Sequence, residues 1–105
     1  MQTMLDGIPE AFGNRLRLAI LAVLMEGNGE SDFVSLREKT GASDGNLSTQ
    51  LTRLEELGYL ESKKELVQKK TRTSYRLTTA AVRAYRQFLT LLVGSMLKKQ
   101  NDGDT

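Results

Sequence analysis

Ser43-Asp44-Gly45-Asn46-Leu47-Ser48-Thr49-Gln50-Leu51-Thr52-Arg53-Leu54-Glu55-Glu56-Leu57-Gly58 spells out a helix with two unlike sides. Leu47, Leu51, Leu54 and Leu57 recur at i, i+4, i+7 and i+10, which at about 100° per residue forms one apolar stripe. Ser43 suits the N-cap, Asp44 suits the positive end of the helix, and Gly58 stops it. The opposite side carries Gly45, Asn46, Thr49, Thr52, Arg53 and Glu56, with Ser48 on one flank and Gln50 on the other. The stripe reads as core. The outer side carries small hydrogen-bonding groups of the kind that reach base edges in a major groove.

The flanks place this helix in a larger pattern. Phe33 to Thr40 reads as a helix of about two turns, capped by Ser31 or Asp32 and stopped by Gly41. Only Ala42 and Ser43 separate it from the helix at 43–57, so the two form a helix-turn-helix. Further upstream, Asn14 caps a helix to Met25 whose Leu16, Ala19, Ile20, Val23 and Leu24 follow helical spacing. Met4, Leu5, Ile8 and Phe12 form a short helical lead-in. Downstream, Tyr59–Val67 and Thr73–Leu77 read as two antiparallel strands joined by Gln68–Thr71. Thr78 then caps a long helix to about Lys99. The predicted fold is mainly α with a small β-hairpin wing, a winged helix-turn-helix. Residues 1–97 form one domain, and the polar residues 98–105 read as a flexible tail.

Charge is unevenly placed along the 105 residues. The net charge is only +2, yet residues 62–76 carry six basic side chains and one acidic one. Residues 44–61 carry one basic and four acidic. Cations so concentrated on a hairpin fit phosphate contacts. The wing's Lys63, Lys64, Lys69, Lys70 and Arg72 are therefore the candidate backbone contacts. Cysteine and histidine are both absent. That removes disulfide frameworks, thiol and Ser–His nucleophiles, and His- or Cys-ligated metals. No catalytic constellation, metal site or cofactor site is expected. The longest apolar run, Leu18 to Met25, is eight residues, against the roughly 20 of a membrane span. The opening MQTMLDGIPE lacks the basic flank and apolar centre of a signal peptide. A cytoplasmic protein without a membrane partner is expected.

The blocks Arg17-Leu18-Ala19-Ile20-Leu21, Gly45 to Leu51, Leu54 to Leu60 and Thr73-Ser74-Tyr75-Arg76-Leu77-Thr78 resemble small winged-helix transcriptional regulators of the MarR/ArsR type. The likeness is greatest to the single-domain MarR-like group and spans about Phe12 to Leu91. The resemblance implies a homodimer that binds a pseudo-palindromic operator in double-stranded DNA and usually represses. It places Asn46, Ser48, Thr49, Gln50 and Arg53 on the recognition helix, and Lys69, Lys70 and Arg72 on the wing. Two departures matter. Many relatives carry an LTPxG stretch after the wing, where this chain has Leu77-Thr78-Thr79-Ala80-Ala81. The Cys and His ligands of metal-sensing relatives are missing, as is any oxidant-sensing cysteine.

Terminal helices make the dimer in such families. The final helix has an apolar face wider than one small domain covers. Tyr85, Phe88, Leu89, Leu92 and Met96, with Leu5, Ile8 and Phe12, are the expected interface. A small-molecule effector fits this class of regulator, but no set of residues specifies one. The competing reading is a winged-helix protein-interaction module without specific DNA binding, because fold alone does not settle function. The basic wing favours DNA.

Overall fold

The structure is a computed structural model and describes residues 3–103. Two 3₁₀ turns, Leu5–Gly7 and Glu10–Gly13, lead into α1 (Arg15–Glu26). There follow β1 (Glu30–Asp32), α2 (Phe33–Thr40), α3 (Asp44–Glu56), β2 (Leu60–Val67), β3 (Lys70–Leu77) and α4 (Thr79–Gly103). The caps lie where short polar side chains invite them. Asn14 Oδ1 accepts from the Leu16 and Arg17 amides, and Asp32 from that of Ser35. Ser43 accepts from the Asn46 amide, and Thr78 from that of Ala81. Each satisfies a first-turn donor that the helix itself leaves open. Gly41, at φ 76°, and Gly58, at φ 80°, end α2 and the turn after α3 in the left-handed region, where a Cβ is costly.

The sheet has three strands where the sequence pattern gave two. β1 pairs with β3, so the order is β1-β3-β2 with both pairings antiparallel. Its residues Glu30, Ser31 and Asp32 face Arg76, Tyr75 and Ser74. The pairing ties the segment before the helix-turn-helix to the base of the wing. The hairpin is also tighter than expected. Lys70 and Thr71 belong to β3, leaving only Gln68 and Lys69 in the turn, at φ 49° and 65°. Two successive positive φ values make the primed type of hairpin turn, whose twist matches the strands. At the other end, α4 runs on through Gly103, past residue 98 where the tail was expected. Residues 104–105 lie outside the described residues.

The core sits between α1, α2 and α3 and the inner face of the sheet. Ile20, Leu21, Leu24, Leu36, Leu47, Leu51 and Leu54 are the largest fully enclosed side chains. Ala11, Phe12, Leu60, Tyr75 and Ala84 complete the cluster. Truncating any of the enclosed leucines to Ala should cost about 2–5 kcal/mol. The core holds α3 by its leucine stripe and leaves the opposite side in solvent. α4 packs on the domain as far as Leu91, which is half-buried. From Leu92 to Gln100 every side chain is exposed, and the long axis of the molecule reaches 64 Å.

Candidate nucleic-acid interface

Asn46, Ser48 and Thr49 lie exposed on the outer face of α3, opposite Leu47, Leu51 and Leu54. Thr49 Oγ1 donates to the Gly45 carbonyl at 2.9 Å. Its one proton is thereby used, and the oxygen faces outward only as an acceptor. The side chains of Asn46 and Ser48 make no hydrogen bonds among the described residues; it is the backbone N–H of Asn46 that donates to Ser43 Oγ. Asn46 thus offers both donors and its acceptor to a partner. Thr52 is exposed beside them.

The two remaining candidates on this helix are engaged. Gln50 is half-buried, and its carbonyl oxygen accepts from Arg17 Nη1 at 2.9 Å. It is therefore held toward α1 rather than presented outward. Arg53 Nη2 pairs with Glu10 Oε1 at 2.5 Å. The hydrogen bond from Arg53 holds the Glu10 carboxyl below its ordinary pKa, and the same bond raises that of Arg53.

Arg17 is a member of this site that sequence reasoning did not single out. Its Nε donates to the Ala11 carbonyl at 3.2 Å and its Nη2 to the Glu10 carbonyl at 3.0 Å. With Nη1 on Gln50, one guanidinium ties the second 3₁₀ turn to both α1 and α3. Glu10 was likewise not singled out. The partners lie 33 and 43 residues apart in sequence, so no local spacing announces them.

On the wing, the six cations divide into two sets. Lys63 pairs with Glu65 at 3.0 Å, Arg72 with Asp32 at 3.1 Å, and Arg76 with Glu61 at 2.6 Å. Lys64, Lys69 and Lys70 have no carboxylate partner among the described residues. All three are exposed, with Lys69 in the turn and Lys70 at the start of β3. Arg72 braces the wing against the N-cap of α2, so its charge is already partnered, as is that of Lys63. Asp44, beside the first turn of α3, pairs with Arg37 at 2.9 Å, which masks a carboxylate near the outer face.

The expected dimer residues also divide. Phe12 is only 7% exposed and stacks on Phe88 within its own chain, with its ring also near those of Tyr85 and Tyr59. Tyr85, Phe88 and Ile8 are half-buried against the same core. The aromatic part of the α4 stripe is thus filled from within one chain. Leu5, Leu89, Leu92 and Met96 are exposed, and Val93 and Leu97 extend their row.

Residues 16–95 match the family described as the winged helix DNA-binding domain, and the chain belongs to that family. An uncharacterized protein of Methanocaldococcus jannaschii is 33% identical over 78 residues, covering 74% of this chain and 84% of that protein. Among solved structures, the transcriptional regulator homologue of Pyrococcus horikoshii OT3 superposes with a TM-score of 0.79 at 22% identity. That match covers 91% of this chain and 95% of that one. A protein assigned to the MarR family of transcriptional regulators, from Enterococcus faecalis V583, matches with a TM-score of 0.74 at 18% identity. It covers 96% of this chain and 86% of its own. The architecture is that of a winged-helix DNA-binding domain, a fold shared with these two regulators. Among the described residues no helix is long and apolar enough to cross a membrane.

Proposed function

We propose that the protein is a homodimeric, sequence-specific DNA-binding regulator that represses by occupying its operator. α3 enters the major groove, and the wing lies along the phosphate backbone or minor groove. The observation that carries this reading is the pairing of two surfaces: the exposed Asn46, Ser48 and Thr49 on α3, and the unpartnered Lys64, Lys69 and Lys70 on the wing. The first set suits base edges. An Asn amide is complementary to adenine N6 and N7, while the Thr49 oxygen, left as an acceptor, fits a base amine. The second set supplies charge without sequence information. Two recognition helices joined across a two-fold axis would read half-sites about 34–36 Å apart.

Selection of genomic fragments with the purified protein, followed by affinity measured across a salt series, tests the proposal. With six unpartnered wing lysines in a dimer, log K should fall against log salt with a slope near −5. Absence of any retained fragment, or a slope near zero, would refute DNA binding and leave the protein-interaction reading.

A further inference from the structure

α3 contains a single cation, Arg53, and that cation is paired with a residue from outside the helix-turn-helix. We propose that Glu10 is an internal competitor for DNA: its carboxylate occupies the Arg53 guanidinium that would otherwise take a backbone phosphate, and so limits the affinity of the recognition helix. This rests on the DNA-binding reading above.

A carboxylate and a phosphate offer a guanidinium the same kind of paired oxygen acceptors. The Arg53 and Glu10 side chains are 39% and 57% exposed, so an incoming phosphate can reach the pair. Glu10 cannot be drawn away easily, because its backbone is pinned. Arg17 donates to the carbonyls of both Glu10 and Ala11, and Phe12, two residues on, is locked against Phe88. The anchored backbone keeps the Glu10 side chain within reach of Arg53 on the proposed groove-facing helix. The contrast with the wing is informative. The lysines at the wing carry free charge, whereas the outer side of α3 presents uncharged hydrogen-bonding groups, an arginine already paired and the Glu56 carboxylate. Of these two elements the wing supplies the sequence-independent attraction, and α3 is left to discriminate.

The same pinning makes the competitor adjustable. The turn bearing Glu10 is seated on α4 through the Phe12–Phe88 stack, so a shift of α4 would move the carboxylate relative to Arg53.

The test is a salt series on a random-sequence duplex with the full chain, comparing wild type, Glu10→Gln, and Glu10→Gln combined with Arg53→Gln. Glu10→Gln should bind about two- to five-fold more tightly at low salt, the range an exposed ion pair allows. Its slope should steepen by about 0.9 for each chain, one added phosphate contact. The double variant removes a pair that is already neutral, so it should return to wild-type slope and to within about two-fold of wild-type affinity. Unchanged or weaker binding by Glu10→Gln overturns the proposal, because the pair would then be idle or would serve to aim Arg53. A double variant with a flatter slope than wild type also overturns it, because Arg53 would then reach phosphate despite Glu10. If wild type shows no salt-dependent binding at all, the DNA reading and this proposal fall together. A wild type that binds with the expected slope beside an unresponsive Glu10→Gln sinks this proposal alone.

Discussion

The rings of Phe12 and Phe88 lie nearly parallel, their centroids 4.6 Å apart and their planes 7° from one another. One ring comes from the turn before α1 and the other from the third turn of α4, so this contact joins the two ends of the chain. Tyr85 meets the Phe12 ring edge-on at 6.0 Å, an arrangement that adds to simple area burial. Phe12→Ala should destabilise the fold by about 3–5 kcal/mol, as removal of a buried Phe does. A double-mutant cycle with Phe88→Ala should give a coupling of about 0.5–1.5 kcal/mol. Urea unfolding at fixed protein concentration reads both. A Phe12→Ala cost below about 1 kcal/mol would mean that the turn is not seated in this way.

The stack also marks where the sequence was hard to read. The helices were legible because their signals are local. Asn14, Ser43 and Thr78 sit at caps, and the leucines of α3 keep helical spacing. β1 was invisible because Glu30-Ser31-Asp32 is polar and only three residues long. Its pairing rests on backbone bonds to β3, including the adjoining Leu77 amide to the Gly29 carbonyl at 2.8 Å. The hairpin turn was over-long in the reading because Gln68 and Lys69 adopt positive φ without the Gly or Asn that usually advertises it. Phe12, Tyr85 and Phe88 were assigned to a dimer contact since periodicity shows that a face is apolar, not which surface covers it. On α3 the outward positions were read correctly as a face. The engagement of Gln50 and Arg53 depends on Arg17 and Glu10, which only the fold brings near.

The wing cations should behave as two groups. Replacing Lys64, Lys69 and Lys70 together with Ala should weaken binding to all DNA sequences alike. It should flatten the salt slope by about 2.7 for each chain, three phosphates at about 0.9 apiece. Lys63→Ala and Arg76→Ala remove charges that already have carboxylate partners, and should change the slope much less. Equal effects from the two groups, by fluorescence anisotropy across salt, would show that the ion pairs do not persist on DNA.

Asn46 and Thr49 should act on discrimination. Asn46→Ala or Thr49→Ala should reduce the preference for the selected operator over random DNA by about 1–3 kcal/mol if a base contact is lost. The salt slope should stay as in wild type, since neither residue carries charge. Gln50→Ala should affect stability more than preference, because its carbonyl is bonded to Arg17. An identical loss on operator and random DNA for Thr49→Ala would remove that residue from the base-reading set.

Asp32 carries a pH dependence of known sign. The Ser35 amide, bonded at 2.8 Å, is the main reason its carboxyl lies below the ordinary value of 3.8, with Arg72 adding to it. A carboxyl with a depressed folded-state pKa stabilises fully above its unfolded pKa. The contribution fades as pH falls through the lower folded value. Asp32→Ala should cost about 1 kcal/mol at neutral pH, as loss of an N-cap does, with a further small loss from the freed Arg72. The gap between variant and wild type should narrow below about pH 4. Asp32→Asn keeps a good cap and should retain most of the neutral-pH stability. Thermal unfolding at pH 7 and pH 3 separates these outcomes, and a gap that widens in acid would contradict the assignment.

The proposed dimer is tested on the outer part of α4. Leu89, Leu92, Val93, Met96 and Leu97 are between 44% and 67% exposed. They recur at i, i+3, i+4, i+7 and i+8, so they form one continuous apolar row. Monomeric proteins seldom leave so extended an apolar face in water. A two-fold partner covers such a row with the same row of a second chain. Phe88 is spent inside its own domain, so a charge placed there would test folding rather than assembly. Leu92→Glu with Met96→Glu is the cleaner change, because both side chains project beyond the core. The variant should keep its helical content and run as a monomer at micromolar concentration, while wild type sediments as a dimer. Its operator affinity should collapse toward that of a single half-site although no DNA-facing residue has changed, since the two recognition helices no longer bind as one linked unit. A monomeric wild type would refute the interface, and a double variant that remains a dimer of full affinity would place the two-fold axis on another face of the molecule.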